Sequence, residues 1–156
     1  MVKVGIIGCG KIAQVRHIPE YLDNPNAKLT GLYDLNLQRA KNLAEKYGCK
    51  SYESIEEMLA DPEIDAVSVC VANHVHAEIT IAALKAGKHV LCEKPMATTL
   101  KDCQMMVDTA EQMGKKLMIG QNPRFAKAHA EAKKIIERGD IGSVLTFKTT
   151  FGHGGP

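Results

Sequence analysis

Gly5-Ile6-Ile7-Gly8-Cys9-Gly10-Lys11-Ile12-Ala13 is the stretch that decides the fold. Val2, Val4, Ile6 and Ile7 lead into it around a single Lys3, and Ile12, Val15, Ile18 and Leu22 follow at helical spacing. A strand therefore enters a turn of Gly8, Cys9 and Gly10, and a helix leaves it; that context gives meaning to an otherwise weak glycine pattern. Gly8 permits the tight turn, Gly10 lets a pyrophosphate approach the backbone, and Ala13 lets the helix pack closely on the strand. The free N–H groups and positive dipole end of the helix face the same place. Gly8, Gly10, Lys11 and Ile12 are thus the expected phosphate-side residues of a dinucleotide site.

Outward from this turn, strands and helices alternate. Pro19 interrupts the first helix and predicts a kink or restart near His17–Pro19. Lys28–Asp34 reads as a second strand. Asn36 can cap the next helix, with Leu37, Ala40, Leu43, Ala44 and Tyr47 inward and Gly48 ending it. Cys49–Tyr52 is a short third strand, and Ser54-Ile55-Glu56-Glu57 is a capping box opening a short helix with Ile55, Met58 and Leu59 inward. Asp65–Ala72 is apolar enough to be a strand covered on both faces. Val75, Ile79, Ala82, Ala83 and Ala86 mark a helix ended by Gly87, and His89–Cys92 is the fifth strand. Thr99 with Asp102 opens a helix carrying Leu100, Cys103, Met106, Val107, Ala110 and Met113, closed by Gly114. Lys116–Gly120 is the sixth strand. Phe125, Ala128, Ala132, Ile135 and Ile136 line a last helix ended by Gly139, and Ser143–Phe151 alternates as a strand. Such alternation over residues 1–120 predicts an α/β fold with a doubly wound parallel sheet, in the order 3-2-1-4-5-6. The expected organisation is a dinucleotide-binding domain over 1–122, a connecting helix over 123–142, and the start of a further domain over 143–156.

Ligand in such a sheet binds where the strand order reverses, at the carboxyl ends of strands 1 and 4. Ala72, Asn73 and His74 after strand 4, Glu93-Lys94-Pro95 after strand 5, and Gln121-Asn122 after strand 6 should line that edge. Asp34 ends strand 2, where an acid accepts hydrogen bonds from adenosine ribose hydroxyls and repels a 2′-phosphate; the alternative is an Asp that starts the turn before Asn36. The expected cofactor is therefore NAD, with NADP second. Arg39 either tolerates a phosphate or lies on a solvated helix face. Lys94 is placed to exchange a proton with a substrate hydroxyl, and Glu93 to hold that ammonium or touch the cofactor; a cis Lys94–Pro95 bond would aim the lysine inward. His74 and His76 read as caps or surface residues, with His76 able to reach the cleft. Arg124-Phe125 reads as a helix start or as a cleft-lining pair. Met105, Met106, Met113 and Met118 read as core filler, and His89 as structural.

Composition excludes several classes. The 156 residues carry a net charge of +2, with no basic run interleaved with aromatics, so no nucleic-acid partner is indicated. No apolar run approaches the roughly 18 residues that cross a membrane, and the first apolar stretch is too short for a secretory signal. A cytoplasmic protein is expected. Cys9, Cys49, Cys70, Cys92 and Cys103 are odd in number and irregularly spaced, so neither a disulfide framework nor a metal site is expected.

With these residues assembled, the chain resembles the Gfo/Idh/MocA oxidoreductases, the glucose–fructose oxidoreductase and inositol dehydrogenase family. Gly8-Cys9-Gly10-Lys11-Ile12-Ala13, Ala72-Asn73-His74-Val75-His76 and Asn122-Pro123-Arg124-Phe125 match its segments. Ala86-Gly87-Lys88-His89-Val90-Leu91-Cys92-Glu93-Lys94-Pro95 matches its most specific signature. The resemblance implies an NAD(P)-dependent enzyme acting on a sugar, cyclitol or related polyol, with Lys94 assisting proton transfer, His76 at a family histidine position, and Glu93 and Asn122 beside the cofactor. It also implies a second α/β domain on an open antiparallel sheet, of which Ser143–Phe151 would be the first strand; His153 does not match that domain's catalytic histidine. A truncated chain with little or no turnover is expected, a homo-oligomer or a strand-paired association through 143–151; Ser143–Phe151 itself is expected to be disordered, to pair with a symmetry partner or to be swapped. The alternative of another class is a non-catalytic NAD-binding module that senses redox state.

Overall fold

In the computed structural model, Val2–Ile7 forms strand β1, and the model describes residues 1–150 and 152. The chain divides into two units, Met1–Gly120 and Gln121–Pro156. In the first, β1 lies between β2 (Ala27–Tyr33) and β4 (Ala66–Val69); β3 (Lys50–Ser51) lies beyond β2, and β5 (His89–Cys92) and β6 (Leu117–Ile119) lie beyond β4. The order is β3-β2-β1-β4-β5-β6, and every pairing is parallel. This is the predicted doubly wound sheet.

Successive strand residues serve opposite faces. Ile7, Val67, Val69, Val90 and Cys92 enter one core, closed by α3 (Ile55–Ala60), α4 (His76–Lys85) and α5 (Leu100–Gln112) through Met58, Ala83, Leu84 and Met106. Ile6, Leu29 and Leu32 enter the other, closed by α1 (Ile18–Asp23) and α2 (Leu37–Tyr47) through Ala13, Ile18 and Ala44. The predicted caps are formed. Asn36 accepts from the Arg39 N–H, Ser54 from Glu57 and Thr99 from Asp102. In the second of these, Glu57 reaches back to the N–H of Glu53 rather than to that of Ser54.

Several inward faces differ from their apolar spacing. Before α1 the backbone widens into a π turn over Ala13–His17, closed by the Ile18 N–H on the Ala13 carbonyl. Ala13, His17 and Ile18 face inward, while Ile12, Val15 and Leu22 are exposed. The inner face admits polar groups because each finds a partner: Tyr21 shares a 2.6 Å hydrogen bond with Ser68, and His17 pairs with Glu93. In α4, His76, Thr80, Ala83 and Leu84 are buried, and Ala82 and Ala86 are exposed. In α5, Leu100 is exposed, as are Met105 and Met113, with Met118 on β6; of those four methionines only Met106 is core.

The second unit has a 3-10 turn over Asn122–Phe125 and then α6 (Lys127–Glu137). Phe125 therefore precedes the helix in which it was expected. The strand expected over 143–151 is not formed by residues 143–150; Phe151 lies outside the described residues, as does His153. A strand persists through the ladder it makes with a neighbour, and among the described residues this unit offers no other strand.

Gly31 in β2 marks the tightest packing. A Cβ on it would collide with the ring of Tyr52, which is buried and donates its hydroxyl to Asp61. Gly31→Ala is expected to destabilise the protein by about 1–3 kcal/mol, read as a fall in the denaturation midpoint at unchanged slope.

Candidate functional site

The site is built at the carboxyl edge of the sheet, where one further hydrogen bond continues each ladder past the strand end. The Gly8 N–H donates to Tyr33, Cys70 to Ile7, Glu93 to Val69, and Gly120 to Cys92, at 2.8–3.0 Å. The segments after β1, β4, β5 and β6 therefore start from one row, as the strand order requires.

Gly8 and Gly10 do different work. Gly8 has φ +94°, and a Cβ there would stand 2.6 Å from the Cys70 carbonyl oxygen, so the turn is locked against the end of β4. A Cβ on Gly10 would meet nothing within 4 Å. No protein neighbour explains a glycine there; open space above a helix start does. Gly10 also has no side chain with which to cap that helix, so its first N–H groups are left for an anion.

Asp34 closes the turn from the β2 side. It is buried; one carboxylate oxygen accepts from the Cys9 N–H at 2.7 Å and the other from Asn36 at 2.8 Å. Arg39 approaches the first oxygen at 3.4 Å while half exposed. The second oxygen, with one donor, has capacity for another; the first has it only when the long Arg39 contact yields. Asp34 thus starts the turn before Asn36 and also faces a cleft of about 600 Å³ lined by Gly8, Gly10, Arg39, Val71, Ala72 and His74 among others. Gln14 fastens the turn from the helix by donating to the Cys9 carbonyl at 2.8 Å. Burial, and then the Asp34 charge, push the Cys9 thiol up to about 12. Burial likewise pushes Cys92 up to about 11. Both stay thiols at neutral pH and are poor nucleophiles.

The other sequence-predicted residues fall into distinct places. His74, read as a cap or surface residue, lines the cleft. Lys11 and Ile12 are exposed at the helix start, and Ala72 and Asn73 are exposed at the start of the turn after β4. His76 packs inward against the turn after β5. Its ring is buried, with Nδ1 2.7 Å from the Pro95 carbonyl and Nε2 3.1 Å from that of Val71, so each nitrogen faces a backbone carbonyl. Glu93 does not hold the Lys94 ammonium. One of its oxygens lies 2.8 Å from His17 Nε2 and the other accepts the Lys94 backbone N–H at 3.1 Å. The Lys94–Pro95 bond is cis, and Lys94 is exposed. His89 is structural, its Nδ1 accepting from the Lys116 N–H. Asn122 belongs to the second unit. Among the described residues no three His, Cys, Asp or Glu side chains gather as a metal site, and no helix is long and apolar enough to cross a membrane.

Sequence reasoning missed His17 and Gln14. Gln14 follows the glycine turn closely, and its spacing could have been noticed. His17 meets a residue 76 positions away, so only the completed fold reveals the pair.

A nucleotide-binding turn, a buried acid at the end of β2 and a cleft at the switch point define a dinucleotide-binding domain of the Rossmann type. The chain belongs to the Gfo/Idh/MocA oxidoreductase family: the model of this oxidoreductase family, with its NAD-binding Rossmann fold, matches residues 2–121. It is 37% identical over 151 residues to glucose-6-phosphate 3-dehydrogenase of Bacillus subtilis, covering 97% of this chain and 42% of that protein. It is 34% identical over 149 residues to myo-inositol 2-dehydrogenase of Thermotoga maritima, covering 95% and 44%. Among solved structures, a 3-ketoreductase from Actinomadura kijaniata in complex with TDP-benzene and NADP superposes with a TM-score of 0.82 at 31% identity, over 88% of this chain and 44% of that one. The chain thus spans less than half the length of these relatives.

The two glycines should separate in experiment. Gly8→Ala is expected to cost on the order of 2–4 kcal/mol, from a positive φ and a backbone collision. Gly10→Ala should leave stability within about 0.5 kcal/mol. Equilibrium urea unfolding of both variants checks the contrast.

Proposed function

We propose that this chain holds NAD across the glycine turn and the ends of β1, β4 and β5, as the cofactor-binding part of an oxidoreductase acting on a sugar, cyclitol or related polyol. The observation that carries the proposal is the pairing of open space at Gly10 with the buried Asp34 carboxylate on the same cleft. In this reading Gly8, Gly10, Lys11 and Ile12 attend the pyrophosphate, and Asp34 takes the adenosine ribose hydroxyls. Ala72 and Asn73 border the path toward the nicotinamide end, where Glu93 and Lys94 belong. The bound nicotinamide would accept or return the hydride. Lys94 would exchange the proton of the substrate hydroxyl.

NAD is favoured over NADP because the Asp34 charge repels a 2′-phosphate. Arg39, 3.4 Å from Asp34, is the nearest cation for a phosphate and makes NADP the weaker ligand rather than an excluded one. The polyol class is supported by the names of the relatives, a sugar-phosphate dehydrogenase and an inositol dehydrogenase. Within the proposal, 1–122 is the cofactor domain, 123–142 a connecting helix and 143–156 the opening of a substrate domain.

Calorimetric titration with NADH and NADPH tests the reading. The expected result is binding of both, with NADH about tenfold tighter. Gly10→Val should weaken NADH at least about tenfold without lowering the melting temperature, and Asp34→Asn should narrow the preference. Absence of binding to either nucleotide would overturn the proposal. NADH binding without any hydride transfer to a sugar or polyol would point to the redox-sensing module instead.

A further inference from the structure

Two buried histidines outside the cofactor cleft converge on the segment that carries Lys94. His17 comes from the π turn before α1, and His76 is the first residue of α4. His17 Nε2 lies 2.8 Å from Glu93 Oε1, with both side chains about nine-tenths buried. His76 Nδ1 lies 2.7 Å from the Pro95 carbonyl oxygen, and its ring is fully buried. Between these two anchors stands Lys94, exposed, its backbone N–H donating to the second oxygen of Glu93 at 3.1 Å.

The chemistry makes each contact directional. A buried carboxylate is costly unless its oxygens receive donors. Glu93 receives two, the His17 ring and the Lys94 backbone, so His17 must carry a proton on Nε2. Carbonyls only accept, and His76 has one at each nitrogen, that of Pro95 2.7 Å from Nδ1 and that of Val71 3.1 Å from Nε2; a neutral ring has one proton, and the shorter contact assigns it to Nδ1. Gly120 makes room for the carboxylate: a Cβ there would stand 3.3 Å from Glu93 Oε2 and crowd it. The pair also links the two halves of the cleft edge, because His17 sits on the turn of helix that leaves Gly10.

We propose that His17 and His76 are positioning residues that clamp the Glu93-Lys94-Pro95 turn at its two ends and so fix the backbone from which Lys94 reaches the reaction. Neither touches substrate or cofactor; each acts through the turn. The proposal rests on the reading of Lys94 given above and extends it to residues that reading does not use.

The test is spectroscopic and needs no turnover. In a long-range proton–nitrogen spectrum of the imidazoles, His17 should be protonated at Nε2 and His76 at Nδ1. The Lys94 amide should exchange slowly with solvent for an exposed turn. His17→Leu should speed that exchange about tenfold, with the amides of β2 unchanged. His17→Gln places an N–H where Nε2 stood and should restore protection. A bare Nε2 on His17 in the unaltered protein overturns the proposal, as does loss of protection in both variants or in neither. Should His17→Leu fail to fold, the imidazole spectrum of the unaltered protein and the exchange in His17→Gln decide. The reading of Lys94 fails by a different result: unchanged hydride transfer in Lys94→Met would remove the purpose of the clamp while leaving both spectra as expected.

Discussion

The carboxylate of Asp34 accepts the N–H of Cys9 with one oxygen and that of Asn36 with the other, and the rest of the site is arranged around this bridge. Hydrogen bonds to an ionised acceptor contribute about 1.5–3 kcal/mol each when little water competes. Two of them join the end of β2 to the turn after β1 and to the start of α2. The glycine turn therefore cannot drift away from the sheet edge. Gly8 adds the steric side of the same constraint by packing against the Cys70 carbonyl. Charge from one neighbouring strand and backbone contact from the other leave the turn a single position, with Gly10 at its open face.

Legibility followed the range of the interactions. The glycine turn, the alternation of strands and helices, and the caps at Asn36, Ser54 and Thr99 are local, and each was readable from a handful of adjacent residues. The sheet order followed from alternation together with the handedness of parallel crossovers. Asp34 was readable because its role depends on its place at the end of β2. What escaped is non-local or polar. Helical spacing of apolar residues put Ile12, Val15 and Leu22 inside the first helix, yet the inner face is shared by His17 and Tyr21. Their partners, Glu93 and Ser68, lie 76 and 47 residues away. Alternation over Ser143–Phe151 suggested a strand, but alternation describes only the two sides of a segment. Whether it becomes a strand depends on a neighbour with an open edge.

The two ends of the cleft edge differ in how their polar groups are satisfied. At the Asp34 end the protein completes the geometry and leaves oxygen capacity and helix N–H groups facing open space, as a site made to receive hydroxyls and phosphates requires. At the Glu93 end the polar groups are spent inward: the carboxylate on His17 and a backbone N–H, the His76 ring on two carbonyls. The one group there that faces outward is Lys94, and among the described residues its ammonium makes no hydrogen bond or ion pair.

That difference constrains how the chemistry must work. A lysine exchanging a proton with a substrate hydroxyl acts best where water is excluded and the donor and acceptor are held within hydrogen-bond reach. Met1–Gly120 supplies the second condition through the backbone of the turn, which is anchored at Glu93 and at Pro95. It does not supply the first, because Lys94 stands exposed. On the proposed reading, exclusion of water would then come with the occupied site, from the cofactor and substrate themselves. A rigid turn beneath an open surface suits that division: the backbone is set before the ligand arrives, so little ordering remains when the surface is covered. On the proposed reading, the substrate would be chosen by whatever covers Lys94, and the nucleotide at Asp34 and Arg39, at the far end of the same edge.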